Sequence, residues 1–145
     1  MAQDAIALLE ADHHRVEELF REYKSAGDPQ AKLHLAQIIC MEITLHSMVE
    51  EEIFYPEFAR ATGDEQMLEH ALKEHQEVKD LIARVPTAEN LDGAIEAIKQ
   101  HVLHHVEEER RGMFAKAKAS GMELATLGGR IQTRRAEIAD AIQEA

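Results

Sequence analysis

Two histidine–glutamate pairs stand at a spacing that could hold a metal ion. His46 precedes Glu50 by four residues, and His105 precedes Glu109 by the same interval. Residues four apart lie on one face of a helix, so each pair presents an imidazole and a carboxylate side by side. Neutral imidazole and carboxylate together suit iron, manganese or zinc. We therefore take these four residues as candidate metal ligands.

Two further histidines, His13 and His75, stand in matching surroundings. Each follows an acidic residue, and each precedes apolar residues at the same two offsets, three and six positions further on. His13 and His75 are 62 residues apart, and His46 and His105 are 59 residues apart. The sequence therefore indicates two copies of a helical hairpin. We expect a pseudo-twofold axis to run through the site.

All six candidate residues fall within apolar stripes whose steps are three or four residues, which is the pattern of a buried helix face. They should therefore point into the core. Four imidazoles and two carboxylates in one layer of an apolar core are costly unless something satisfies them. A metal centre would do so, and the lack of cysteine ligands argues against a structural zinc site.

The elements that carry these residues are predicted to be helices. Glycine (7) and proline (3) are few, and those at positions 27, 29, 63, 86 and 121 mark the ends of segments rich in helix-forming residues. We predict helices over about 4–25, 29–62, 64–86, 88–120 and 122–142, with Pro56 kinking the second. The predicted fold is therefore all-α. The short connections favour an up-down-up-down antiparallel four-helix bundle over residues 4–120. Residues 121–145 would form an additional C-terminal helix, packed on the bundle or in an interface.

Composition excludes several classes of function. A chain of 145 residues suits one domain, and no apolar run reaches the length of a membrane span. The net charge of −12 would repel nucleic acid and anionic lipid. The single cysteine, Cys40, cannot form an internal disulfide, and no export signal is apparent. We expect a cytoplasmic protein that binds neither nucleic acid nor membranes.

The ordered motifs resemble those of the hemerythrin-like proteins, or HHE cation-binding domains. The matching segments lie within residues 4–118 and are DHHRV (12–16), HSMVEEEIFYP (46–56), EH (74–75), HHVEEE (104–109) and MF (113–114). The resemblance implies a four-helix bundle with a non-haem di-iron centre bridged by carboxylates and an oxo or hydroxo group; manganese or zinc is less favoured. It implies as ligands His13, His46, Glu50, His75, His105 and Glu109, the two glutamates bridging.

The sequence departs from the oxygen-carrying hemerythrins, which have a fifth histidine on the third helix. Ala71 and Lys79 stand four residues on either side of His75, where that histidine would be expected. Two six-coordinate irons with this ligand set would keep roughly two open positions. Two adjacent openings favour redox turnover of peroxide or dioxygen over oxygen carriage.

Residues near the six ligands are further candidates. His101, four residues before His105, is a candidate fifth histidine, and Tyr55 either donates to a bound oxygen species, as a catalytic group, or simply packs. Asp12 and Glu74 either orient ligands or lie exposed. The expected solvated acidic face comprises Glu51, Glu52, Glu107 and Glu108. The expected surface histidines are His14, His34, His70 and His104.

Four functions compete at this point. The first is a di-iron centre that reacts with peroxide or O2, in a catalase-like or protective role. The second is a module that reversibly binds or senses O2 or NO, and the third is iron storage or donation. The fourth is a metal-free scaffold with 122–142 as an oligomerising helix. The electron donor and any homo-oligomer are left open.

Overall fold

The computed structural model describes residues 4–144, and their side chains as far as residue 142. The helices are α1 (Ala5–Ser25), α2 (Pro29–Val49), α3 (Tyr55–Thr62), α4 (Glu65–Ala83), α5 (Leu91–Glu108), α6 (Ala115–Ala119) and α7 (Leu124–Glu144). A π-helical turn, Glu50–Phe54, joins α2 to α3, and another, Glu109–Phe114, joins α5 to α6. A 3₁₀ turn, Val85–Thr87, follows α4. Residues 4–144 contain no strand, so the predicted all-α fold is confirmed.

Local signals in the sequence explain where the helices begin and end. The Asp4 carboxylate accepts from Ala7 N–H at 2.8 Å, and the Asp64 carboxylate accepts from Met67 N–H at 3.1 Å. The Asn90 side chain caps α5 in the same way. Gly63 ends α3 with φ of 68°, a left-handed conformation that glycine adopts without strain. Each predicted boundary therefore lies within a few residues of the observed one.

The helices pair in the order that short connections impose. Helix α1 packs against α2, and α4 packs against α5. The last helix, α7, lies on the bundle and contacts both α1 and α2. Its buried side chains, Leu127, Ile131 and Ile138, join the apolar cluster formed by the start of α1 and the region around Phe54. The additional C-terminal helix is therefore part of the same core.

Two apolar clusters lie on either side of a polar layer. One contains Leu9, Phe54 and Phe114, and the other contains Val16 and Ile43. Along each of the four long helices, the candidate histidines and glutamates fall between members of the two clusters. The core thus encloses its polar layer with apolar side chains on both sides.

The irregularity of the second long helix begins earlier than the sequence predicts. We expected a kink at Pro56, but the helix changes to a π turn at Glu50, and Tyr55 N–H donates to the Glu50 carbonyl. Pro56, which has no N–H to donate, follows directly after this turn. The fourth long helix has a π turn at the equivalent place without a proline, starting at Glu109. Proline is therefore not what both turns share; both begin at a candidate ligand glutamate.

No helix in the described range is both long and apolar enough to cross a lipid bilayer.

Candidate metal centre

The structure brings all six predicted ligand residues into one buried layer, which we call the central cluster: His13, His46, Glu50, His75, His105 and Glu109. The histidines come from α1, α2, α4 and α5 respectively, and each glutamate is the first residue of a π turn. Their side chains are at most 11% exposed. Burial of this many ionisable groups requires compensation from one another or from a bound ion.

The central cluster divides into two groups of three. One group consists of His13, His46 and Glu109, and the other of Glu50, His75 and His105. Within each group, the candidate ligand atoms lie within 4.8 Å of one another. The imidazole rings also pair, with centroids 4.9 Å apart for the first group and 4.8 Å apart for the second. Each group has the size and donor types of a site for one ion.

Each glutamate reaches histidines of both groups. Glu50 Oε1 lies 3.0 Å from His46 Nε2 and 3.2 Å from His75 Nε2. The two oxygens of Glu109 lie on opposite sides, with Oε1 3.3 Å from His13 Nε2 and Oε2 3.4 Å from His105 Nε2. A carboxylate in such a position can bridge two ions.

A second carboxylate holds the far side of every imidazole. The Nδ1 atoms donate to four acidic side chains: His13 to Glu10 at 2.7 Å, His46 to Asp12 at 2.7 Å, His75 to Glu51 at 2.8 Å, and His105 to Glu74 at 2.8 Å. We call these four the outer carboxylates. A proton held on Nδ1 leaves the Nε2 lone pair free for a metal ion. All four histidines therefore aim Nε2 at the middle of the cluster.

The outer carboxylates correct two expectations from the sequence. Asp12 and Glu74 are mostly buried and contact the candidate ligands His46 and His105, so the alternative of an exposed position is wrong for both. Glu51 was expected on a solvated face, but it contacts His75. Glu10 was not singled out, although its position three residues before His13 on one helix was a usable signal.

Basic side chains in turn hold three of the outer carboxylates. Arg110 Nε donates to Glu10 at 2.8 Å, and Lys79 Nζ donates to Glu51 at 2.9 Å. Arg135, which lies on α7, donates to Asp12. The last helix is therefore linked to the centre through Asp12, although it supplies none of the six candidate ligands.

The residues of the central cluster fit a pair of metal ions. Among the described residues, several buried atoms of the cluster lack a hydrogen bond of proper geometry, although imidazole nitrogens and carboxylate oxygens lie as close as 3.0 Å: His13 Nε2, His46 Nε2, both Glu50 oxygens and Glu109 Oε1. A buried polar atom without a partner costs about 1–3 kcal/mol, so such atoms call for an explanation. Ligation explains them, because imidazole nitrogen and carboxylate oxygen are the donors that iron, manganese and zinc accept.

The same contacts shift the proton affinities of the metal-free cluster. Burial lowers the pKa of His105, but hydrogen bonds and charge interactions with Glu109 and Glu74 outweigh it and raise this pKa to about 10. Burial also lowers the pKa of His46, but the interactions of His46 with Glu50 and Asp12 outweigh burial and raise this pKa well above its ordinary value. Burial raises the pKa of Glu50, but the adjacent imidazoles depress it well below its ordinary value. Without metal, protons therefore occupy the cluster.

Tyr55 contacts the central cluster directly. Its hydroxyl donates to Glu109 Oε2 at 2.9 Å and lies 3.0 Å from His75 Nε2. Burial and the charges of Glu50 and Glu109 raise the pKa of Tyr55 well above its ordinary value, so the phenol keeps its proton. The π turn explains the position of Tyr55. The backbone hydrogen bond from Tyr55 N–H to the Glu50 carbonyl spans five residues, so Tyr55 follows Glu50 by one turn and faces the interior.

The structure does not bring His101 to the central cluster. Its side chain is 46% exposed, its Nδ1 donates to the Ala97 carbonyl at 3.0 Å, and its Nε2 faces Glu77. A step of four residues rotates a side chain by about 40° around the helix, and on α5 the rotation from His105 to His101 leads to the surface. The exposed histidines include His14, His34, His70 and His104.

A small cavity adjoins the four histidines. It has a volume of about 40 Å³, and apolar side chains, among them Val16, Ile43 and Val102, line it together with the four imidazoles. A single water needs roughly 10–15 Å³ of such space. The cavity therefore accommodates a molecule of two or three heavy atoms beside the candidate ligands.

The fold and the site define a helical-bundle protein with a buried cluster of histidine and glutamate that is a candidate cation site. The chain belongs to the hemerythrin HHE cation-binding domain family, whose model matches residues 4–117. A crystal structure of a hemerythrin HHE cation-binding domain-containing protein from Mycobacterium kansasii has the same fold, with a TM-score of 0.80 and 21% sequence identity. The alignment covers 93% of this chain and 86% of that one.

Two curated proteins share sequence with the chain. One is a protein of Nostoc sp. named DNA nickase, 30% identical over 119 residues, which are 78% of this chain and 32% of the relative. The other is an uncharacterized hemerythrin-like protein of Schizosaccharomyces pombe, 26% identical over 106 residues, which are 69% of this chain and 52% of the relative. The chain thus spans about a third of the length of the Nostoc protein and about half of the length of the Schizosaccharomyces pombe protein.

Proposed function

We propose that this protein binds two iron ions in the central cluster and reacts there with peroxide or dioxygen. In this proposal, His13 and His46 hold one ion, His75 and His105 hold the other, and Glu50 and Glu109 bridge them. The observation that carries the proposal is the orientation of all four imidazoles by outer carboxylates, which directs every Nε2 toward the two glutamates. When bound, a pair of iron ions supplies one-electron steps for reactions of peroxide or dioxygen.

The side chains around the cluster support a small oxygen-containing substrate. The cavity beside the four histidines has room for two or three heavy atoms, and its valine and isoleucine walls exclude larger polar molecules. Tyr55 supplies a phenol proton at the edge of the cluster, 2.9 Å from Glu109. Tyr55 does not line this cavity and lies in the apolar cluster on the other side of the polar layer, so we assign it the role of hydrogen-bond donor to the bridging carboxylate of Glu109.

Reversible binding of O2 or NO is the second candidate function. The apolar wall of the cavity favours it, because Val16, Ile43 and Val102 offer no hydrogen-bond donor or acceptor through their side chains. The two candidates differ in the fate of the ligand. The reversible binder would release it unchanged, whereas the redox enzyme would convert two peroxides into water and dioxygen, or reduce dioxygen with electrons from reduced iron.

We do not carry the name of the Nostoc relative over to this chain. The matching region is 32% of that protein, and the net charge of −12 opposes contact with a phosphate backbone. The absence of nucleic-acid binding stays a prediction.

The proposal is tested by titrating reduced, iron-loaded protein with oxygen while iron is counted on the same sample. Two irons per chain and prompt consumption of added peroxide are expected. A charge-transfer band that disappears when oxygen is removed would instead select the reversible binder. Iron-loaded protein that neither consumes peroxide nor forms an oxygen adduct would overturn both candidates.

Tyr55→Phe tests the role of the phenol. We expect nearly unchanged iron content and a loss of peroxide turnover of roughly 10–100-fold, the usual effect of removing a hydrogen-bond partner of a ligand. Tyr23→Phe is the matched control, because Tyr23 hydrogen-bonds Asp92 in the other apolar cluster. Equal turnover in Tyr55→Phe and in the wild type would restrict Tyr55 to packing.

A further inference from the structure

A second group of histidine and glutamate side chains lies at the surface, outside the central cluster. The Glu108 carboxylate lies within hydrogen-bond distance of two histidines. His70 Nε2 is 2.6 Å from Oε2, and His104 Nε2 is 2.7 Å from Oε1. Glu74 Oε2 lies 3.5 Å from His70 Nε2 and 3.6 Å from His104 Nε2. We call these four residues the surface cluster.

Three members of the surface cluster, His70, Glu74 and Glu108, offer ligand atoms that all lie within 4.8 Å of one another, which suits a single divalent cation, and His104 Nε2 contacts Glu108 beside them. The nitrogen–oxygen separations of the surface cluster span 2.6–3.6 Å. Ligand bonds of about 2.0–2.1 Å at tetrahedral angles place neighbouring ligand atoms about 3.3 Å apart, which falls within this span. The side chains of His70 and His104 are 58% and 66% exposed, so they can make the small rotations that ligation requires.

Glu74 links the surface cluster to the central cluster. Its Oε1 accepts from His105 Nδ1 at 2.8 Å, and its Oε2 faces the two surface imidazoles. Glu10, Asp12 and Glu51, the other three outer carboxylates, are each held by an arginine or a lysine. Glu74 is the exception among the described residues, because its outer partners are imidazoles. Imidazole nitrogen, unlike guanidinium, is a ligand for first-row divalent cations.

A cavity of about 120 Å³ connects the two clusters. His70 and Glu108 of the surface cluster contribute to its wall, and so do His105 and Glu109 of the central cluster. The cavity thus extends from the exposed side chain of His70 to the buried side chains of His105 and Glu109.

We propose that His70, His104, Glu108 and Glu74 form a surface site that captures a first-row divalent cation at the mouth of the cavity leading to the central cluster. The site would load the central cluster, and this second part rests on the proposed function. The acidic character of the chain, with 28 acids and 16 bases, draws cations toward such a site.

The experiment compares the wild type with His70→Gln/His104→Gln, in which both substituted positions are exposed. Protein already loaded with iron is titrated with Zn²⁺ by calorimetry. We expect one zinc ion per chain in the wild type and at least tenfold weaker binding in the variant. His14→Gln is the matched control, since His14 is an exposed helical histidine beside Glu17 on the opposite hairpin. Equal zinc binding in the wild type and the double variant overturns the surface site.

Loading is measured separately, by the time course of Fe²⁺ retention after addition to metal-free protein. We expect the double variant to take up iron at least several-fold more slowly and to reach the same final content. Equal rates overturn the loading role. A wild type that retains no iron but binds one zinc ion, which the double variant loses, refutes the proposed function and leaves the surface site standing.

Discussion

At the residue scale, the outer carboxylates decide which nitrogen of each histidine faces the centre. His75 illustrates the effect: Glu51 holds Nδ1 at 2.8 Å, and Nε2 is left 3.2 Å from Glu50. Without Glu51 the ring could rotate or take the other tautomer, and the ligand atom would be misplaced. Partners of this kind raise metal affinity without touching the metal.

Replacement of Glu51 by alanine should therefore weaken metal binding. We expect a loss of roughly 10–100-fold in affinity, the usual effect of removing such a partner, measured by competition with a chromophoric chelator. Glu52→Ala is the matched control, because Glu52 is the next residue and pairs with Arg134 at the surface. Equal losses in the two variants would show that general charge, and not orientation of His75, governs affinity.

Protonation of the histidines makes the stability of the metal-free protein depend on pH. The pKa of His105 is raised to about 10, and those of His46 and His75 are raised as well. A raised pKa in the folded state contributes stability that is complete below the unfolded value of about 6.5 and is lost as pH rises through the folded value. The unfolding free energy of metal-free protein should therefore fall between pH 6.5 and 10.

Urea unfolding at several pH values across this range measures the effect. Metal-loaded protein should show a weaker dependence, because bound ions replace those protons. A metal-free protein whose stability is flat from pH 6.5 to 10 would contradict the raised pKa values.

At the element scale, the helices contribute unequally to the site. Helices α1, α2, α4 and α5 each contribute one histidine, and the π turns contribute the two glutamates. Helix α7 contributes Arg135, which reaches Asp12 behind His46. The C-terminal helix therefore supports the central cluster as well as the apolar core.

Removal of this support should weaken the site that contains His46. We expect Arg135→Ala to lower metal affinity several-fold, because Asp12 loses the guanidinium that fixes it, with isothermal titration as the measurement. Arg130→Ala serves as the control, since Arg130 is on the same helix and faces Glu57 at the surface. An affinity equal to that of the wild type would limit α7 to a packing role.

At the scale of the whole molecule, the polar layer divides the apolar core into two parts. Glu50 is fully buried between them, and its two oxygens lack a hydrogen bond of proper geometry among the described residues. Metal binding and folding should therefore be coupled, because the ligand geometry exists only in the folded chain.

Glu50→Ala should reduce iron content and abolish most of the stabilisation by metal. In the wild type, the midpoint of thermal unfolding should rise on addition of iron and fall with a chelator. The variant should show little difference between the two conditions. Circular dichroism verifies that it folds, and undiminished iron content would show that the ligand assignment is wrong.

The sequence determined the all-α fold and the six residues of the central cluster. Helical periodicity places a side chain on a face of its own helix, so His46 and Glu50, or His105 and Glu109, could be paired without coordinates. Capping residues such as Asp4 and Asp64 marked helix ends for the same local reason.

Only the tertiary structure decided the contacts between helices. Asp12 lies 34 residues from His46, and Glu74 lies 31 residues from His105. Whether such pairs meet depends on how each helix is rotated about its axis and crosses its neighbours, which packing of the whole core sets. The outward direction of His101 and the link from Arg135 to Asp12 have the same origin.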